Sequence, residues 1–227
     1  IIQDIPCFLS TTVMRGLPWI FYPTTLLAQS DSCIGSKSSI NSGEVKNILG
    51  TFTPPNKVVI DVDFLQTLEN KDLYSGIGEM LKVHAIDSPK SFDYISCNYE
   101  KILSNPRVME KFIKESLLIK KKLIEVDEFD QGPRNVMNYG HSFGHAIETA
   151  TNYGIPHGIA VTIGMDIANF VAVGLGISNM QHFERMHGVM VKNSNIFRHM
   201  NISVERLMVA LSKDKKNSAT QLRLILP

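Results

Sequence analysis

Three of the chain's seven histidines lie close together between Arg134 and Gly158. His141 and His145 are spaced i, i+4, so on a helix both rings leave the same face. His157 follows a helix stop at Gly154-Ile155-Pro156, where the chain can fold back toward that face. Imidazoles grouped in this way suit a borderline divalent metal such as zinc. A lone HxxxH on a helix more often packs or meets solvent, so the pair needs company. Arg134 and Asn138 supply it, one helical turn apart and both suited to holding an anion.

A further ligand has to come from elsewhere. Glu79 lies in Ser75-Gly-Ile-Gly-Glu-Met-Leu-Lys-Val-His84, where Glu79 and Lys82 at i, i+3 share a helix face. Such a pair is usually solvated. Here the neighbours Ile77, Met80, Leu81 and Val83 leave little polar surface for that role. Gly76 and Gly78 let another backbone approach. Glu79 is therefore the candidate for the remaining protein ligand, giving a Glu/His/His set with positions open to substrate oxygens, as a catalytic site requires. The basic residues Arg15, Lys37, Lys46, Lys120, Arg134 and Lys215 are scattered, and each taken singly reads as surface charge. Lys37, in Ile34-Gly-Ser-Lys-Ser-Ser39, is the exception, because Gly35 and the serines free backbone N–H groups for an anion. The P-loop spacing is absent.

These residues must be positioned by a folded chain of 227 residues, 44% of them hydrophobic, enough for one large domain or two small ones. The formal net charge of +1 gives no argument for nucleic acid or a membrane surface. Cys7, Cys33 and Cys97 form no CxxC pair and fit a reducing, cytoplasmic setting. Residues 1 to 14 read as an apolar helix. Trp19–Tyr22 and Lys57–Val62 read as buried strands, the second of the parallel-sheet kind. Helical spacing then dominates over Gly76–Ile86, Ser91–Leu103, Arg107–Val126, Asn138–Tyr153, Ile159–Val173, Asn179–Val191 and Val204–Ser212, with a last strand at the C-terminal end. The expected organisation is α/β over residues 1–66 and helical over 67–227. The ends read as the interior of elements, so a fragment is expected.

Ordered blocks across the whole chain resemble the 3-dehydroquinate synthase family of sugar-phosphate cyclases. They are Pro23-Thr-Thr-Leu-Leu-Ala-Gln29, Asp31-Ser-x-Ile-Gly-x-Lys37, Lys46-Asn47, Phe64-Leu-x-Thr67-Leu, Gly78-Glu-x-x-Lys82, Arg134-x-x-x-Asn-x-Gly-His-x-x-Gly-His145, His157-Gly and Asp214-Lys-Lys-Asn217. The resemblance implies an N-terminal α/β NAD-binding domain, truncated here to residues 1–66, and a helical metal- and substrate-binding domain over 67–227, with the active site in the cleft between them. It implies metal ligands at Glu79, His141 and His157, holding Zn2+ or Co2+. His145 would contact substrate and assist proton movement, so only one of the i, i+4 pair is a ligand. Asp31, Lys37, Asn47, Lys82, Lys120, Arg134, Asn138 and Lys215 would hold the carboxylate, hydroxyls and phosphate of a sugar phosphate. NAD contacts would come from Asp4, Thr24, Thr25, Lys37, Lys46, Phe64, Leu65, Gln66 and Thr67. Arg15 would reach into a neighbouring site, implying a homodimer.

Some positions depart from the family pattern. Gly35-Ser-Lys-Ser38 stands where the family reads Gly-Gly-Lys-Thr, and His157-Gly-Ile159 where it reads His-Gly-Glu. The glycine-rich pyrophosphate turn would lie before Ile1, so poor NAD binding by this chain alone is expected. The departures keep three alternatives open: an inosose- or valienone-type cyclase, a metal-dependent polyol dehydrogenase, and an inactive fragment. The phosphate-binding set weighs against the dehydrogenase, since a simple polyol needs no such cluster.

Overall fold

The fold was analysed in a computed structural model, which describes residues 3–42, 45–213 and 224–227, with side chains omitted for 41–47. Helix α1 spans Asp4–Thr12 and tightens into a 3-10 turn at Val13–Arg15. Strand β1 (Ile20–Phe21) pairs in parallel with β4 (Lys57–Val58), while β2 (Ile40–Ser42) and β3 (Val45–Leu49) form an antiparallel pair. A π-helical turn at Ala28–Ser32 and a 3-10 segment at Val62–Thr67 complete this part.

The strands partly correct the sequence expectations. The parallel pairing of β1 and β4 is as expected, but neither strand is buried, with Ile20 at 56% and Tyr22 at 55% exposure. Apolar, β-branched composition reports a strand's preference for a covered surface and not the presence of a cover. The β2–β3 pair carried no such composition and went unpredicted. Of the expected C-terminal strand, residues 222–223 lie outside the described residues and 224–227 adopt no regular element.

The helical part follows the apolar spacing closely. Helix α2 runs Asn70–Asp87, α3 Pro89–Cys97, α4 Tyr99–Ser104, α5 Pro106–Val126, α6 His141–Ala150, α7 His157–Gly174, α8 Met180–Ser194 and α9 Val204–Ser212. The expected Ser91–Leu103 helix is in fact two, α3 and α4, divided at Asn98. Several starts are written in local chemistry. Asn105 accepts the Arg107 N–H at 3.0 Å, Asn179 the His182 N–H at 2.9 Å, and Ser203 the Arg206 N–H at 3.3 Å. Pro89 and Pro106 occupy first-turn positions, where a missing N–H costs nothing.

Helix α7 is the centre of the core, packed between α2, α6 and α8. It is long and apolar enough to cross a membrane, but more than half of that stretch is buried inside the protein. Its polar residues are satisfied from neighbours. Buried Asn193 of α8 accepts the Tyr99 hydroxyl at 2.9 Å and donates to Tyr74 O at 3.1 Å and Thr162 Oγ1 at 3.0 Å. A polar node of this kind fixes how α2, α4, α7 and α8 seat on one another.

Candidate active site

Helices α2, α6 and α7 meet at a site defined by backbone contact. A Cβ on Gly78 would lie 2.1 Å from Gly158 O, and one on Gly158 would lie 1.8 Å from Ser75 O. Only glycine permits this approach, and the Ser75 hydroxyl accepts the Gly158 N–H at 2.9 Å across it. Glu79 and His157 each sit next to one of these glycines and are thereby brought face to face. Gly140, in the left-handed region at φ 76°, opens α6 and directs His141 and His145 toward the same point.

The ring centroids of His141 and His145 are 5.2 Å apart, those of His141 and His157 5.2 Å, and those of His145 and His157 5.7 Å. One nitrogen from each lies within 4.8 Å of the others. Glu79, 1% exposed, places Oε1 3.4 Å from His157 Nε2 and 3.9 Å from His141 Nε2. Its Oε2 lies 2.5 Å from the buried Lys82 ammonium. Neither carboxylate oxygen has a hydrogen-bond donor aligned on it. Buried carboxylate oxygens without donors, facing imidazole nitrogens, are what a cation site requires.

Protonation states agree with that use. Burial alone would raise the Glu79 carboxyl, but the Lys82 ammonium and His157 hold it well below the usual carboxylate range. His141 is pushed well below its ordinary value, by burial first and then by the Lys82 charge, which keeps its ring neutral. His141 Nδ1 lies 3.2 Å from the Tyr139 carbonyl, which can only accept, so this nitrogen carries the proton and Nε2 presents its lone pair. Against a burial effect that lowers it, hydrogen bonds to Glu148 and Glu79 raise metal-free His157 to about 10.

A basic wall adjoins the histidines. A cavity of about 510 Å³ is lined by Asp4, Asp31, Lys37, Lys120, Arg134 and His157 among others. Lys120 Nζ donates to Asp31 O at 2.5 Å and lies 3.1 Å from Asp31 Oδ1. Lys37 pairs with Asp130 at 2.8 Å. Arg134, 7% exposed, donates to Glu128 O at 2.7 Å, and its guanidinium lies beside Gly35. An apolar groove of about 550 Å³ along α5 shares only Ile34 and Gly35 with this cavity and lacks its convergent cations.

Asp127, which sequence reasoning passed over, organises the approach to Arg134. Its carboxylate accepts the N–H groups of Gln131 at 2.9 Å, Gly132 at 2.8 Å and Arg134 at 3.2 Å, and these bonds hold its pKa low. The Asp-to-Gly-to-Arg spacing of a loop caught by one carboxylate was its available signal. The free N–H groups expected around Lys37 are not found. Ser38 N–H donates to Thr51 O at 2.9 Å and Ser39 N–H to Asp4 Oδ1 at 2.9 Å, because this segment joins a ladder.

The expected cofactor residues fall on one edge. Pro23–Thr25 and Asp61–Thr67 follow the ends of parallel neighbours β1 and β4, where nucleotide clefts form in such sheets. Buried Gln29 ties the two together, donating to Pro23 O at 3.1 Å and Asp61 O at 2.7 Å. Thr24, Thr25, Phe64, Gln66 and Thr67 are exposed there and Leu65 is buried. Asn138 is half-buried, beside Arg134 on the turn Pro133–Asn138, and its amide donates to Asn135 O at 3.2 Å. Arg15 is exposed at φ 65°, with no printed contact to the cavity. Lys46 and Asn47 lie on β3, but their side chains, like Lys215, lie outside the described residues.

Comparison with known proteins accounts for this arrangement. A family model described as 3-dehydroquinate synthase N-terminal matches residues 1–75, and one described as 3-dehydroquinate synthase C-terminal matches residues 76–217. The 3-dehydroquinate synthase of Dictyoglomus turgidum is 40% identical over the whole chain, which covers 64% of that relative. The Helicobacter pylori enzyme of the same name is 36% identical, again over the whole chain and 65% of the relative. The chain thus spans slightly under two thirds of the length of these relatives. Among solved structures, 2-epi-5-epi-valiolone synthase from Streptomyces hygroscopicus, with NAD+ and Zn2+ bound, has a TM-score of 0.80 at 25% identity, over 92% of this chain and 59% of that one. A 2-deoxy-scyllo-inosose synthase has a TM-score of 0.83 at 24% identity, over 98% and 61% respectively, and shares the fold. Matched in order through both of its domain models, the chain belongs to the 3-dehydroquinate synthase family.

Proposed function

We propose that this protein performs the family's phosphate-eliminating cyclisation, converting 3-deoxy-arabino-heptulosonate 7-phosphate to 3-dehydroquinate and inorganic phosphate. The single observation that carries the reading is the meeting of Glu79, His141 and His157 beside a wall of buried cations. Relatives named 3-dehydroquinate synthase at 36–40% identity support the choice of substrate. The valiolone synthase structure, solved with NAD+ and Zn2+, supports the choice of cofactors.

Glu79, His141 and His157 fit the ligand role, since both histidines direct Nε2 at the donor-free Glu79 oxygen. The three rings could alternatively form a three-histidine set, which the metal contents of single variants distinguish. When bound, the divalent cation supplies Lewis-acid polarisation of a substrate hydroxyl and NAD supplies a reversible hydride acceptor. Lys82 keeps Glu79 ionised. Lys37, Lys120 and Arg134 converge on one cavity and would hold the carboxylate and phosphate, Arg134 by its planar fork. His145, beside both ligand histidines, is placed to move a proton at the substrate. Asn138, Asn47 and Lys215 would complete the substrate contacts, and Asp4 with the Thr24–Thr25 and Phe64–Thr67 edge would contact NAD. A homodimer in which Arg15 completes the neighbouring site belongs to the same reading, as does residence in the cytoplasm.

Much of the acceleration would then come from positioning and preset charge. Purified protein supplied with the heptulosonate phosphate, NAD+ and Zn2+ should release phosphate without net NADH. Net NADH from glycerol, with no phosphate release from the heptulosonate, would replace this reading by a dehydrogenase.

A further inference from the structure

His157 is less constrained than its partner His141. It is the first residue of α7 and its side chain is 34% exposed, against 12% for His141. Little packing therefore holds its ring in the orientation that turns Nε2 toward Glu79. Glu148 supplies a directional contact, with Oε1 3.2 Å from His157 Nδ1. Glu148 is on α6, 8% exposed, on the helix that carries His141 and His145.

The connection between Glu148 and His157 is built to keep them in register. Tyr153 N–H donates to the Glu148 carbonyl at 2.7 Å, and Gly154 N–H donates to Thr151 O at 3.0 Å. Asn152 and Tyr153 both adopt left-handed backbone, at φ 51° and 60°, and Ile155 is 2% exposed. Left-handed non-glycine residues persist only where the surroundings over-determine them. The turn thus returns the chain at a fixed offset and presents His157 Nδ1 to a carboxylate that is already buried.

We infer that Glu148 is a positioning residue: by accepting the His157 Nδ1 proton in a hydrogen bond it fixes the ring so that Nε2 faces the metal position. The inference rests on reading Glu79, His141 and His157 as metal ligands. A carboxylate behind a ligating imidazole both sets its tautomer and strengthens its donor nitrogen, and loss of such a partner weakens metal binding about 10–100-fold. Glu148 is the counterpart of the Tyr139 carbonyl behind His141.

The test measures the zinc dissociation constant of the full chain by competition with a chromophoric chelator, for wild type, Glu148→Leu and Glu148→Gln. Leucine fills similar space without an acceptor, whereas glutamine keeps an acceptor oxygen but loses the charge. The expected result is one zinc per wild-type chain, affinity weakened about 10–100-fold in Glu148→Leu, and most of that loss recovered in Glu148→Gln. Proton NMR of the zinc-loaded protein should show the His157 Nδ1–H in wild type and in Glu148→Gln. If Glu148→Leu fails to fold, the glutamine variant decides alone. Loss of its Nδ1–H signal overturns the inference, and retention supports it. Leucine affinity equal to wild type, or glutamine affinity as poor as leucine, also overturns it while leaving the metal reading intact. A wild type that binds no zinc overturns the metal reading and this inference with it.

Discussion

Gly78 and Gly158 touch backbone to backbone: a Cβ on Gly78 would sit 2.1 Å from the Gly158 carbonyl oxygen and 2.5 Å from Thr162 Oγ1. This contact sets the distance between α2 and α7, and with it the distance from Glu79 to His157. Gly78→Ala must push the helices apart, and overpacking of this kind costs about 1–3 kcal/mol. Chemical unfolding should show that loss, together with weaker zinc binding. Gly174→Ala, on α7 where an added Cβ meets nothing within 4 Å, should be neutral or slightly stabilising.

Lys82 and Glu79 form an ion pair whose side chains are 3% and 1% exposed. Removing one member of a buried pair strands the other, at a cost of about 3–5 kcal/mol. Urea unfolding of Lys82→Met in the presence of a chelator should show a loss of that size. The double variant Glu79→Gln/Lys82→Met should recover most of it, because no buried charge is left behind. A loss below about 1 kcal/mol in the single variant would mean that the protein does not rely on this pair.

His84 gives a pH dependence remote from the histidine cluster. Burial lowers it to about 4, although Asp87 and Ser91 act in the opposite direction. The unfolded chain titrates its histidines near 6.5. Between those values the unfolded state binds more protons, so stability is full above about pH 6.5, falls as pH drops, and stops falling below about 4. The interval corresponds to at most about 3 kcal/mol. Because carboxylates also titrate in this window, the measurement is the difference between wild type and His84→Gln in urea unfolding from pH 7.5 to 4. The wild-type curve should be the steeper by up to that amount, and parallel curves would contradict the prediction.

The sequence was most informative where structure is set locally. Helix α9 occupies the span marked by apolar spacing, and the starts of α3, α5, α8 and α9 follow from Ser88-Pro89, Asn105-Pro106, Asn179 and Ser203. The i, i+4 spacing of His141 and His145, and the glycines around Glu79, were legible for the same reason. What escaped depends on partners distant in sequence. The β2–β3 pairing is one example, and the exposure of β1, decided by what covers it, is another. Asn98 divides α3 from α4 although the apolar spacing runs through it. Glu148, on α6 seven residues after His141, reads as one more helical acid until the turn at Asn152-Tyr153 places it behind His157.

The central claim is that Glu79, His141 and His157 hold the metal while His145 serves the substrate. The direct measurement is zinc per chain, by elemental analysis after dialysis at controlled free zinc, for wild type and the alanine variants of these four residues. The account predicts one zinc in wild type and in His145→Ala, and loss of zinc in Glu79→Ala, His141→Ala and His157→Ala. Full zinc in His157→Ala, or its loss in His145→Ala with retention in Glu79→Ala, would contradict it.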